Sequence, residues 1–370
     1  MDKSKEARQM LRNIFIKRIN SGKTQRGYPP IYRRVTSSRV LQISAVLLIA
    51  FLLIGLAALS FGSARIDLTR VFGCLFHAMG GSQSCSPQDE LILFSIRLPR
   101  IFFAAITGAA LSLGGVVFQA ILRNPLADPY VLGVSGGSAL GAIIGTLIGA
   151  GSFYLGIPLL AFLGALITVA LVFVIAGGGS GRIPDNYLLL AGVIVNAFFS
   201  AAILFFLSLA DSMELHSITF WLMGDLARVS GSGIIPAAFC VLVAFVMIYS
   251  QARGLNLMVQ GEETARQLGV MVEKTKYTLL IITSLATAVV VSLCGIIGFV
   301  GIIVPHMMRL LFGSDHRLLI CASALFGATF LVVADTIARI IIAPAELPVG
   351  VITALLGAPY FIFLLRRKAF

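Results

Sequence analysis

Residues 277–312 read YTLLIITSLATAVVVSLCGIIGFVGIIVPHMMRLLF, an apolar stretch whose one charged residue is Arg309. As a single helix it would be about 54 Å long, nearly twice the roughly 30 Å hydrocarbon thickness of a bilayer. Gly295 and Gly298 stand at its middle. Two short membrane-crossing helices joined by a tight turn fit better. The same ruler predicts spans near 41–61, 100–121, 131–150, 157–176, 187–209, 233–250, 277–294, 296–312, 318–338 and 347–365. The run from Val131 to Ala176 is divided at Gly149, Gly151 and Pro158. The expected fold is therefore all-α, a polytopic membrane protein with ten transmembrane helices.

Composition agrees with this reading. Of the 370 residues, 58% are apolar and 12% charged, whereas soluble domains carry about 45–50% and about 25%. The net charge of +12 could signal nucleic acid, anionic lipid or topology, and position decides between them. Eleven basic residues lie before residue 40, directly ahead of the first apolar run. With the N-terminus inside, ten spans place 22 of the 28 Lys and Arg residues on the inner side. Only Arg65, Arg70, Arg97, Arg100, Arg228 and Arg339 fall outside, as the positive-inside rule requires. Both termini are expected to be cytoplasmic, with the first span a retained signal anchor. Ahead of it, Ala7, Met10, Leu11, Ile14 and Phe15 suit a helix on the inner membrane surface, and a disordered basic tail is an equal alternative.

Catalytic signatures are sparse. Asn20–Thr24 resembles the end of a phosphate loop, but that motif needs glycine where Lys17 stands. The run from Gly177 to Gly181 follows no strand and reads as a flexible loop. The four histidines form no i, i+4 ligand pair. The five cysteines show no CxxC and argue against a metal cage or a disulfide framework, although Cys74 and Cys85 could pair if their loop is external. No catalytic residue, metal or bound cofactor is expected on this chain.

More telling are residues at the helix boundaries. Arg97-Leu98-Pro99-Arg100 opens the second span with two guanidinium groups that can point outward to carboxylates. Arg339 ends the ninth, one turn after Asp335. These arginines either meet an external partner or only anchor helices, Asp335 neutralising Arg339 at i, i+4. Gly261–Gly269, GEETARQLG, reads as a compact helix bounded by glycines in an inner loop, suited to docking another protein or simply solvated. Arg123–Pro129 makes a rigid inner turn with two prolines.

In order and spacing, these motifs resemble the permease subunits of the FecCD family. The resemblance rests on Arg97-Leu98-Pro99-Arg100, the stretch from Gln119 to Asp128, Gly261-Glu262-x-x-Ala265-x-x-Leu268-Gly269, and Gly298-Phe299-Val300-Gly301 leading to Pro305-His306-x-x-Arg309. It continues through Asp315-His316-Arg317, Ala334-Asp335-x-x-Ala338-Arg339 and Glu346-Leu347-Pro348-Val349-Gly350. The resemblance runs from about residue 40 to the C-terminus. It says nothing of residues 1–39, which their charge marks as a basic cytoplasmic extension, and it implies 40–370 as a permease domain of the type II ABC importer permease fold, with a coupling segment near 253–276.

Family membership further implies a homodimer in the bacterial inner membrane, two ATP-binding subunits that use ATP and Mg, and an external substrate-binding protein, with no nucleic acid involved. The cargo would be a ferric siderophore, haem or cobalamin. Arg97, Arg100 and Arg339 match residues that dock the binding protein. Gly261, Glu262, Ala265, Leu268 and Gly269 match the ATPase-coupling helix, with Glu262, Ala265 and Leu268 expected to face the partner. Asn124, Leu126, Asp185 and Asn186 match a cytoplasmic gate, and Ala191, Gly192, Ala197 and Ser200 are expected to line the path. A rival class, the ion-driven secondary transporter, would place ionisable residues mid-membrane, and Asp335 is its main candidate.

Overall fold

A computed structural model describes residues 35–366, apart from 63, 65, 82–84, 154, 178–183 and 228–230. The Asn20–Thr24 segment, the proposed surface helix at 7–15, most of the glycine run, and Arg65, Arg182 and Arg228 lie outside the described residues. The chain divides into two units, Met1–Thr36 and Ser37–Phe370, and the following concerns the second.

Fourteen helical elements are labelled here: α1 Ser37–Ser60, α2 Leu68–Ala78, α3 Pro87–Ile121, α4 Val134–Leu147, α5 Gly156–Gly177, α6 Asp185–Leu209 and α7 Ser212–Leu222; then α8 Gly231–Ser250, α9 Ala252–Gln260, α10 Glu262–Gln267, α11 Val272–Cys294, α12 Val300–Phe312, α13 His316–Ile340 and α14 Val349–Arg366. Among the described residues, α1, α3, α5, α6, α8, α11 and α13 are long and apolar enough to cross a membrane, and α4, α12 and α14 are shorter apolar helices. Each of the ten expected spans coincides with one of them. A helix satisfies its own backbone, which is why lipid-exposed segments of this kind fold no other way.

The Tyr277–Phe312 stretch breaks where its glycines stand. α11 stops at Cys294, Gly295 takes φ +77°, and α12 begins at Val300. A positive φ costs glycine little and most other residues a good deal. The second span differs from expectation at its start. Pro99 does not begin the helix but lies inside it, because α3 runs back to Pro87 through a π-turn at Leu91–Arg97. Proline lacks the N–H that would bond one turn back, and a π-turn absorbs that loss without breaking the helix.

Buried along most of its length, α3 packs against α8, α11, α12 and α13. Small residues permit that closeness: a side-chain carbon on Gly108 would lie 2.1 Å from the Gly327 carbonyl oxygen of α13, and one on Gly115 would lie 1.8 Å from that of Gly301 in α12. α4 packs on α5 and α6, and α11 contacts both α3 and α5.

Four labelled helices lie outside the expected spans: α9 and α10 in the expected inner loop, and α2 and α7. α7 is opened by Asp211 in a reciprocal capping box with Glu214, a D-x-x-E signal legible in the sequence. α2 is tied to the start of α3 by a Cys74–Cys85 disulfide across a separation of 11 residues, so the argument against a disulfide framework does not extend to this pair. Closing a loop of this size stabilises by on the order of 3 kcal/mol in the chain-entropy account. Cys240, Cys294 and Cys321 are free. Alkylation of the denatured, unreduced chain should therefore modify three thiols, rising to five after reduction; five from the outset would disprove the bridge.

Candidate functional site

Two charge clusters lie at opposite ends of α3. At the first end, Asp335 of α13 receives Arg100 of α3 through Nε at 2.9 Å and Nη2 at 2.8 Å, and forms an ion pair with Arg339, whose Nε lies 3.1 Å away without hydrogen-bond geometry. The second amino group of Arg100 meets Glu346, in the turn before α14, at 2.6 Å. Arg97 donates to the carbonyls of Leu59 and Ala64, and Arg339 to that of Phe61 at 3.2 Å. Gly62 makes room, since a side-chain carbon there would lie 2.7 Å from Arg97 Nη2.

The expectation that these guanidinium groups point outward is not met. Arg97 is 4% exposed, Arg100 7% and Arg339 3%, and the hydrogen bonds and ion pairs they make run to groups inside the chain. An unpaired buried charge is costly, so the helices close around carboxylates and carbonyls instead. Sequence reasoning foresaw the Asp335–Arg339 pair but missed Glu346 and the long-range partnership of Arg100.

At the second end, the chain turns at Arg123, whose φ of +48° is unusual for a non-glycine residue. Asn124 accepts the Leu126 amide at 3.0 Å, and Asp128 accepts that of Tyr130 at 3.1 Å. Burial pushes the Asp128 carboxyl up to about 6 against hydrogen bonds from the backbone at Tyr130 and Val131. Asn124, Leu126 and Asn186 are exposed.

Asp185, at the first residue of α6, is drawn into a line of ion pairs. Lys276 Nζ of α11 lies 2.5 Å from Asp185 Oδ1 and 2.8 Å from Glu262 Oε1 of α10. Arg123 extends the line beyond Asp185 at 3.5 Å, and Arg266 joins Glu273 at 2.7 Å and Glu262 at 3.9 Å. Lys276 was legible in the sequence only as one more inner-side basic residue.

α10 forms as its composition implies, between Gly261 at φ +136° and Gly269 at φ +87°. One expectation fails here. Ala265 is fully buried beneath the helix and does not face a partner. Glu262 is turned toward Lys276, which leaves Glu263, Thr264, Gln267 and Leu268 on the open face. Leu268 is 61% exposed.

The preceding α9 is fastened to α13 by Asn256, which donates to Asp315 at 3.0 Å and accepts the His316 amide at 2.9 Å. Partial burial would raise the Asp315 carboxyl, but hydrogen bonds from Arg317 and Asn256 prevail and hold it at about 2. On α6, Ala191 and Gly192 are buried, and Val131 O lies 2.0 Å from where a Gly192 side-chain carbon would stand. These two residues line no path; Ala197 and Ser200 are exposed.

Comparison with known proteins agrees with this architecture. The profile of the FecCD transport family matches residues 47–367. The chain is 38% identical over 332 residues to the hemin transport system permease of Yersinia pestis, covering 87% of this chain and 96% of that one. It is 38% identical over 313 residues to the vitamin B12 import system permease of Salmonella typhi, covering 82% and 94%. Among solved structures, a metal-chelate-type ABC transporter in an inward-facing conformation superimposes with a TM-score of 0.77 at 31% identity, over 88% of this chain and 99% of the other.

Proposed function

The chain belongs to the FecCD transport family, and from that premise we propose that it is the permease subunit of an ATP-driven importer for a metal chelate of the ferric siderophore, haem or cobalamin kind. A substrate-binding protein delivers the cargo at the Arg97 end of the bundle, and a separate ATPase pair, using ATP and Mg, works at the Glu262 end. Two copies of the chain enclose the path. The Arg97 end is external and the Glu262 end cytoplasmic, with both termini cytoplasmic in the bacterial inner membrane. The charge bias supports this orientation, as does the Cys74–Cys85 bridge near the Arg97 end, since disulfides persist in oxidising compartments.

The observation that carries the proposal is α10, a short polar helix between α9 and α11 that presents Glu263 and Leu268 on its open face. An exposed leucine ringed by polar groups is a docking anchor for a complementary cleft. Gly261 and Gly269 set its ends, Ala265 seats it on the bundle, and Glu262 ties it to α11. Asn124, Leu126, Asp185 and Asn186 form the cytoplasmic gate. At the other end, Arg97, Arg100 and Arg339 outnumber Asp335 and Glu346 by one charge, which attracts acidic groups of the binding protein.

Proteoliposomes containing this chain, its ATPase and its binding protein should accumulate cargo only when ATP is supplied. Uptake driven by an ion gradient without the ATPase would overturn the reading. Leu268→Asp should weaken ATPase association at least tenfold, and unchanged association would remove α10 from the coupling role.

A further inference from the structure

Lys276 connects two parts that the proposed function assigns separate duties. Its side chain is 6% exposed, and the ammonium group is held between Asp185 at the start of α6 and Glu262 at the start of α10. Phe173, Leu188, Glu273, Tyr277 and Leu280 line the space beside it, a mostly apolar surround that gives it little water to fall back on. A buried ammonium that loses its carboxylates faces a large desolvation cost. Asp185, Lys276 and Glu262 are therefore constrained to move together. Arg123 carries the link from Asp185 to the turn holding Asn124 and Leu126, and Arg266 braces Glu262 against Glu273.

We propose that Lys276 is a positioning residue, an electrostatic strut that converts displacement of α10 into displacement of the α6 start and the adjoining 123–128 turn. It touches neither cargo nor nucleotide. The inference rests on the reading of α10 as the ATPase dock, and adds how motion leaves that helix. Packing alone would let α10 slide over Ala265 without dragging α6, whereas a shared buried ammonium does not.

The test uses the full assembly in proteoliposomes with its ATPase and binding protein. Lys276→Met keeps the stem and removes the charge; cargo taken up per ATP hydrolysed should fall tenfold or more, and Lys276→Arg should restore most of it. Spin labels on Thr264 of α10 and Tyr187 of α6, each measured against Leu310 of α12, give a second readout. In the unmodified chain both distances should change with ATP. In Lys276→Met only the α10 distance should change.

An unaltered uptake-to-ATP ratio, or an α6 label that still follows α10, overturns the strut. So does an α6 label that never moves in the unmodified chain. Should Lys276→Met fail to reach the membrane, Asp185→Asn cuts the same link while leaving Lys276 paired with Glu262, and is judged by the same ratio. Leu268→Asp separates the two claims. If it leaves ATPase association intact, the dock assignment fails; if it abolishes association while Lys276→Met transports normally, only the strut fails.

Discussion

Asp335→Ala should destabilise the folded bundle by about 3–5 kcal/mol, the usual cost of stranding a buried charge. Asp335 is 1% exposed and is the carboxylate shared by Arg100 and Arg339. Without it Arg339 keeps the Phe61 carbonyl and Thr336 hydroxyl as neutral acceptors, and Arg100 keeps Glu346. Neither arrangement balances two guanidinium charges. In detergent, the unfolding midpoint should drop by on the order of 10 °C. Glu346→Gln should cost much less, because the Glu346 side chain is 35% exposed and water replaces part of what is lost. Equal midpoints for Asp335→Ala and the unmodified chain would show that the cluster contributes nothing to stability. The pair of variants also separates the cluster's structural role from docking: Glu346→Gln raises the local positive excess by one charge, so tighter binding-protein association in a stably folded Glu346→Gln chain would speak for docking alone.

The second large effect concerns contact between backbones. Gly115→Ala would place its methyl carbon 1.8 Å from the Gly301 carbonyl oxygen and 2.6 Å from the carbonyl carbon. Neither atom belongs to a side chain that could rotate away, so α3 and α12 must separate. Overpacking of this kind costs typically about 1–3 kcal/mol. Separation would also stretch the bonds from Gln119 to the Gly301 and Ile302 carbonyls, at 3.2 and 3.3 Å, and compound the loss. Gly55→Ala is the matched control, for nothing lies within 4 Å of its added carbon; a helix-interior alanine there should be neutral or stabilising by up to about 1 kcal/mol. Thermal unfolding of the two variants side by side decides the matter, and similar midpoints would remove close backbone contact as the reason for glycine at 115.

Both predictions concern features of which the sequence shows only one half. Gly115 is visible as one more small residue in an apolar run, and its opposite number is 186 positions away. The short helix α10 was legible because glycines at both ends and helix formers between them are local signals. Which of its residues face outward was not. Ala265 and Glu262 turn inward because α11 and Lys276 lie on that side, and α11 begins only after an intervening turn. The capping box of α7 was equally local, and could have been found beside the hydropathy pattern.

By itself, the sequence determined the number and approximate places of the apolar helices, the break at Gly295 and the bend around Pro125 and Pro129. These follow from helix rise against bilayer thickness and from the backbone limits of glycine and proline, which act within a few residues. Tertiary structure alone decided which charges meet. Arg100 finds Asp335 across 235 residues, and Lys276 finds Asp185 across 91. A buried charge must be paired, but nothing in its neighbourhood along the chain specifies the partner; only helix packing brings one within 3 Å.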